Sequence, residues 1–139
     1  MTATARFSNR VTDMLGVEVP IVQAPMGWIA RSQLASAVSN AGALGIIETS
    51  SGELDIIRDE VRKMRDLTDK PFGVNIAQAF VRDPHIVDFV AEQGVKFVTT
   101  SAGSPVRYVS LNSASRRVGS TCSCSGSSLR QRRRSISLS

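Results

Sequence analysis

Asn75 is the residue whose type and setting point most directly at chemistry. It closes the apolar run Phe72-Gly73-Val74, and its carboxamide offers a donor and an acceptor together. That suits the edge of a planar heterocycle carrying N–H and C=O groups. The alternative is an asparagine that closes a loop on its own backbone. Ala24, Pro25 and Met26 form the second candidate. Pro25 withholds its N–H and stiffens the turn, and Gly27 relieves crowding, so a flat ligand could approach the backbone of Ala24 and Met26. The alternative there is an ordinary loop with a core methionine. Glu48 could serve as a base or a ligand, although an isolated carboxylate is more often solvated or paired. Trp28 could line a pocket or cover its rim, and His85, the single histidine, follows Asp83-Pro84 at a helix start and reads as a surface residue. No nucleophile–histidine pair and no metal cluster appears, so no catalytic residue and no metal ligand is assigned. Any enzymatic chemistry here must be carried by a cofactor.

The elements that position these residues alternate between strand and helix patterns. Phe7, Val11, Met14 and Leu15 form an apolar helical stripe that Gly16 stops. Residues 20–26 read as a strand. Ser32 is placed to cap a helix over residues 33–40, with Leu34, Ala35 and Val38 on its inner face. Residues 44–48 form a second buried strand. Ser50 and Glu53 have capping-box spacing before a helix carrying Leu54, Ile57, Val61, Met64 and Leu67. Residues 72–76 form a third strand, Asp83-Pro84 starts a helix that Gly94 ends, and residues 95–100 form a fourth strand. The strand markers Ile21, Leu44, Phe72 and Phe97 stand 23, 28 and 25 residues apart, the period of a βα repeat. The strands are apolar on both faces, as in a parallel sheet covered by helices.

Two architectures fit: a doubly wound sheet or a (β/α)8 barrel. The first strand leads into Ala24-Pro25-Met26-Gly27-Trp28 rather than G-x-G-x-x-G, which argues against a dinucleotide-binding turn. A barrel takes about 250 residues. The fold class expected is therefore α/β, a partial (β/α)8 TIM barrel of about four βα units, followed by a disordered tail. Residues 1–105 form the barrel part and residues 106–139 the tail.

Charge divides the chain at the same place. Residues 1–105 hold 10 Lys+Arg and 12 Asp+Glu, a balance of −2, whereas residues 106–139 hold 7 Arg and no acid, a balance of +7. That last stretch also carries 11 serines and both cysteines, Cys122 and Cys124. Two cysteines without a second ligand pair make a weak metal signal. The run Arg132-Arg133-Arg134 has no interleaved aromatic to stack on bases, so no nucleic-acid partner is expected. The abrupt change of composition is what a shifted reading frame would produce, and we expect the native protein to continue with further βα units. No run of about 18 apolar residues exists, so no membrane partner is expected. The beginning of the chain lacks a signal-peptide pattern, and a cytoplasmic location is expected.

Four segments carry a resemblance. They are residues 20–26 (PIVQAPM), 39–47 (SNAGALGII), 68–76 (TDKPFGVNI) and 98–105 (VTTSAGSP), in order and at barrel spacing. Together they make residues 20–105 resemble the N-terminal half of the nitronate monooxygenase family, formerly the 2-nitropropane dioxygenases. The flavin-dependent enoyl-ACP reductases are similar in places. The resemblance implies a (β/α)8 barrel that binds FMN at its strand ends. It matches Ala24, Pro25 and Met26 to the segment along the isoalloxazine ring, Asn75 to a flavin-contacting asparagine, and Thr100 and Ser101 to a loop facing the site. In that family an alkyl nitronate reduces the flavin and O2 reoxidises it, giving a carbonyl compound and nitrite. The alternative is an NAD(P)H-dependent flavin enoyl reductase, and a second alternative is a non-enzymatic, basic-tailed fragment. The resemblance places the catalytic histidine and the flavin phosphate site in later segments that do not match His85 or any other residue here. The 139-residue chain is thus expected to be inactive alone and to self-associate through open sheet edges.

Overall fold

The computed structural model describes residues 7–83 and 85–103. The expected boundary at 105/106, the tail, Cys122, Cys124 and Arg132 to Arg134 lie outside the described residues. Five helical segments and three strands follow one another: α1 (Arg10–Leu15), α2 (Ser32–Asn40), β1 (Gly45–Glu48), α3 (Leu54–Leu67), β2 (Phe72–Ala77), a 3-10 turn (Gln78–Phe80), α4 (Ile86–Glu92) and β3 (Phe97–Ser101). The sheet order is β1-β2-β3 and every pairing is parallel. This is an α/β fold built on a parallel sheet.

The expected first strand is reduced to a single parallel bridge between Val22 and Leu44. Pro20 and Pro25 bracket the segment and remove two backbone donors, which limits the ladder. The Leu44 N–H donates to Ile21 O at 2.9 Å and the Gln23 N–H to Leu44 O at 2.9 Å. Beyond that the Gln23 side chain replaces the backbone. Its Nε2 donates to Ile46 O at 3.1 Å and its Oε1 accepts from Ile46 N–H at 3.4 Å. Three strands and a bridge therefore stand where four strands were expected.

Alternation along the strands divides the core in two. Ile47 and Val74 face α3 and α4, where they pack with Ile57, Val61, Met64, Ile86, Phe89 and Val90. The opposite face carries a smaller apolar cluster of Leu15, Val17, Leu44, Ile46 and Phe97. In register, Ile46 pairs with Gly73 and Gly73 with Phe97, one row from the amino ends of the strands. The end of α1 closes that row with Leu15. Asn9 caps α1 reciprocally with Thr12, and Gly16 ends it at φ 67°. Of the predicted α1 stripe only Leu15 is buried; Phe7, Val11 and Met14 are exposed.

Helix α2 differs from expectation in its buried face. Ser32, Ala35, Ser36 and Ser39 face inward, and Leu34 and Val38 are only half-buried. The cause is how closely α2 lies against β1. A Cβ on Gly45 would sit 1.9 Å from Ala35 O, so only small residues fit between helix and strand. Ser39 Oγ seals the contact by donating to Pro71 O at 2.9 Å and accepting from Gly45 N–H at 3.2 Å. Ser32 is inside the helix rather than its cap. The Ser32 N–H donates instead to Glu60 Oε2 of α3 at 2.8 Å, so a carboxylate distant in sequence satisfies an orphan donor of the first turn. Burial pushes the Glu60 pKa up, but the hydrogen bonds from Ser32 and Lys63, with the Lys63 charge, outweigh it and hold it below the ordinary glutamate value. The expected Ser50–Glu53 capping box does not form, because Ser50 is held by Glu48. At α4, Asp83 Oδ1 accepts from His85 N–H at 2.9 Å and the helix begins at Ile86.

Candidate functional site

Parallel register sets Glu48, Asn75 and Thr99 side by side at the carboxyl ends of the three strands. All three lie on the face opposite α3 and α4, one row beyond the Ile46–Phe97 cluster. The inner face thus changes from apolar at one end to polar at the other. Ala77 and Ser101 form the next row.

Asn75 is buried, and its carboxamide spans two residues of β3. Nδ2 donates to Thr99 Oγ1 at 2.9 Å, and Oδ1 accepts from Ser101 Oγ at 3.0 Å. It therefore bonds side chains across the sheet and does not close a loop on local backbone. Among the described residues each end of the amide uses half its capacity, leaving one N–H and one lone pair. Thr99 was not singled out by sequence. Alternation puts Thr99 and Ser101 on the Asn75 face and Thr100 on the other, so of the pair Thr100 and Ser101 only Ser101 joins the row.

Glu48 is also buried, and it is paired rather than free. Oε1 accepts from Trp28 N–H at 3.0 Å and lies 3.4 Å from Arg31 Nε, and Oε2 accepts from Ser50 N–H and from Ser50 Oγ. The Arg31 guanidinium stands over the Trp28 ring, 5.1 Å from its centroid. Trp28 adopts φ 64°, a left-handed conformation that costs a non-glycine residue about 1–2 kcal/mol. The hydrogen bond to Glu48 offsets that cost. Ala24, Pro25 and Met26 lie at the start of this loop and are exposed, as are Trp28 and Ile29. Met26 is therefore not a core residue. Among the described residues the N–H groups of Ala24 and Met26 meet no acceptor.

Gln78 adds a donor that sequence reasoning missed. It follows β2 directly, and its Nε2 is buried without a partner among the described residues. His85 is exposed and stands 3.8 Å from Asp88. It helps line a separate cavity of about 620 Å³ with Gly52, Arg58, Arg82 and Asp83, none of which belongs to the row. Among the described residues no cluster of His, Cys, Asp and Glu is placed to hold a metal ion. No helix among them is long and apolar enough to cross a membrane.

Comparison with known proteins shows the family. The family model for nitronate monooxygenase matches residues 8–118. The chain belongs to the nitronate monooxygenase family. Within this family of oxidoreductases, the chain is 38% identical over 91 residues to the (3aS,4S,5R,7aS)-5-hydroxy-7a-methyl-1-oxo-octahydro-1H-indene-4-carboxyl-CoA dehydrogenase of Mycobacterium tuberculosis, a match covering 66% of this chain and 26% of the relative. It is 46% identical over 70 residues to the nitronate monooxygenase of Pseudomonas aeruginosa, covering 50% of this chain and 20% of that one. Among solved structures, FabK from Thermotoga maritima superposes with a TM-score of 0.73 at 36% identity, over 85% of this chain and 37% of that one. The chain thus spans about a quarter or less of the length of the curated relatives it matches. The nitronate monooxygenase match includes every residue of the polar row and the whole Ala24–Arg31 loop.

Proposed function

We propose that these residues form one flank of an FMN site in an oxidoreductase that oxidises alkyl nitronates with O2 to carbonyl compounds and nitrite. The observation that carries the reading is the Asn75 carboxamide, held buried by Thr99 and Ser101 with one donor and one acceptor to spare. The donors without acceptors fit the group. Ala24 N–H, Met26 N–H and Gln78 Nε2 are all without acceptors among the described residues, and a flavin ring edge is rich in acceptors. FMN would supply the electron-accepting ring. Ala24, Pro25 and Met26 would lie along the ring, with Pro25 stiffening the approach. Asn75 and Gln78 would orient its polar edge. The sheet supports a barrel reading: consecutive parallel strands, helices on one face, and polar residues gathered at the carboxyl strand ends. The exposed edge at Ile21 and Val22 and the exposed side of α1 are apolar surface suited to further βα units or to self-association.

A second reading is favoured by the similarity to a carboxyl-CoA dehydrogenase. On it, the same flavin flank serves NAD(P)H-linked reduction or dehydrogenation of an acyl thioester. One experiment separates the two. Residues 8–103 replace the matching segment of the Pseudomonas aeruginosa nitronate monooxygenase, and the chimera is mixed anaerobically with an alkyl nitronate or with NADPH. We expect bound flavin that the nitronate bleaches and NADPH does not. Bleaching by NADPH alone would replace the first reading with the second, and a colourless, folded chimera would remove both.

A further inference from the structure

We propose that Glu48 is the positioning residue of the Ala24–Arg31 loop, setting the backbone against which the flavin lies. Among the described residues its carboxylate is the side chain that joins the loop to the polar row. It is the Cα partner of Asn75 across β1 and β2, and so stands beside the residue that would read the flavin edge. From there it reaches three points. Trp28 N–H and Arg31 Nε fix the loop, and Ser50 fixes the carboxylate itself from the β1–α3 connection.

The loop has little else to hold it. Residues 24–29 are exposed, so burial does not set their conformation. Their other anchors are Gln23 Nε2 on Ala24 O, the Ile29 and Ala30 N–H groups on Met26 O and the Arg31 N–H on Ile29 O, which shape the turn, and the buried Ala30, whose carbonyl accepts from Glu48 N–H and ties the end of the loop to β1. Trp28 is held at φ 64° by a hydrogen bond to a buried acceptor. Gly27 leaves room for Ser50, since a Cβ there would come within 3.1 Å of Ser50 Oγ. Glu48 touches neither substrate nor cofactor in this scheme. It acts through the loop.

The flavin reading gives the loop's position its meaning, but the clamp is measurable without flavin. Trp28 is the sequence's single tryptophan, so its emission reports this loop alone. The full 139-residue chain and its Glu48→Ala and Glu48→Gln variants are compared by Trp28 anisotropy and by hydrogen exchange of the peptide 24–31. Far-UV circular dichroism monitors the fold. Loss of the carboxylate should lower the anisotropy and speed exchange of that peptide about tenfold, with α3 and β2 unchanged. The amide of Glu48→Gln keeps one acceptor, which can serve Trp28 N–H while its NH2 donates to Ser50 Oγ, and should bring exchange part of the way back from Glu48→Ala towards the parent. Unchanged anisotropy and exchange in a folded Glu48→Ala variant would overturn the proposal, as would a failure of Glu48→Gln to bring exchange any of the way back. Should Glu48→Ala not fold, Ser50→Ala carries the same decision: it removes the hydroxyl donor and leaves the backbone N–H, so exchange of the peptide 24–31 should rise by a smaller factor, and no rise would overturn the proposal. Failure of the flavin reading shows elsewhere, as a folded chimera that holds no flavin while the Trp28 signal still follows Glu48.

Discussion

The Ser32 N–H donates to Glu60 Oε2 at 2.8 Å, so a carboxylate of α3 caps the first turn of α2 across 28 residues of sequence. Lys63 holds the other oxygen at 3.0 Å. Two helices are thereby locked side by side over β1. Because the folded pKa of Glu60 lies below its unfolded value, this stabilisation is fully present above the unfolded carboxylate range. It is lost as pH falls through the folded value. The parent should lose more stability than a Glu60→Gln variant between about pH 7 and about pH 3, measured by urea unfolding. At neutral pH, Glu60→Ala should cost about 1.5–3 kcal/mol, as expected for a hydrogen bond to a charged group.

Gly45 is where helix and strand approach most closely. A methyl group there would meet the Ala35 carbonyl at 1.9 Å, a contact with backbone that no rotamer relieves. Gly45→Ala should destabilise by about 3 kcal/mol or more, read as a fall in the denaturation midpoint. A neutral result would mean that α2 can move away from β1 freely.

Asn75 joins β2 to β3 through two hydroxyls. Replacing it by alanine leaves both without their partner in a buried setting, at a cost of about 1–3 kcal/mol. Asn75→Asp would bury a carboxylate beside Glu48 and should cost at least as much stability at neutral pH. In the flavin-holding chimera both variants should weaken retention, because both lose the spare amide donor. Flavin released on gel filtration measures this directly.

Much of the fold was legible because its signals are local. Apolar runs near Leu44, Phe72 and Phe97 at a βα period placed three of the strands, and Gly16 and Gly94 stopped helices where left-handed backbone is needed. The segment 20–26 failed as a strand because two prolines and the Gln23 side chain disrupt its ladder, a competition that apolar content does not reveal. The α2 face was misread because the proximity of β1, not hydrophobicity, selects Ser and Ala for the contact. The site divides in the same way. Asn75 was visible from its place at a strand end. Thr99, Gln78 and the pairing of Glu48 depend on which strands are neighbours and in what register.

By itself the sequence determined the alternation of strands and helices, the parallel class, the candidate segment Ala24 to Met26, and the family resemblance, since each depends on residues near one another in the chain. Only the tertiary structure decided that Glu48 is a clamped carboxylate, that Asn75 spans Thr99 and Ser101, and that Glu60 caps α2. The bonds Trp28–Glu48, Ser32–Glu60, Asn75–Thr99 and Asn75–Ser101 join residues 20 to 28 apart. A hydrogen bond is specified by distance and angle in space, and spacing along the chain does not encode either until the sheet has set its register.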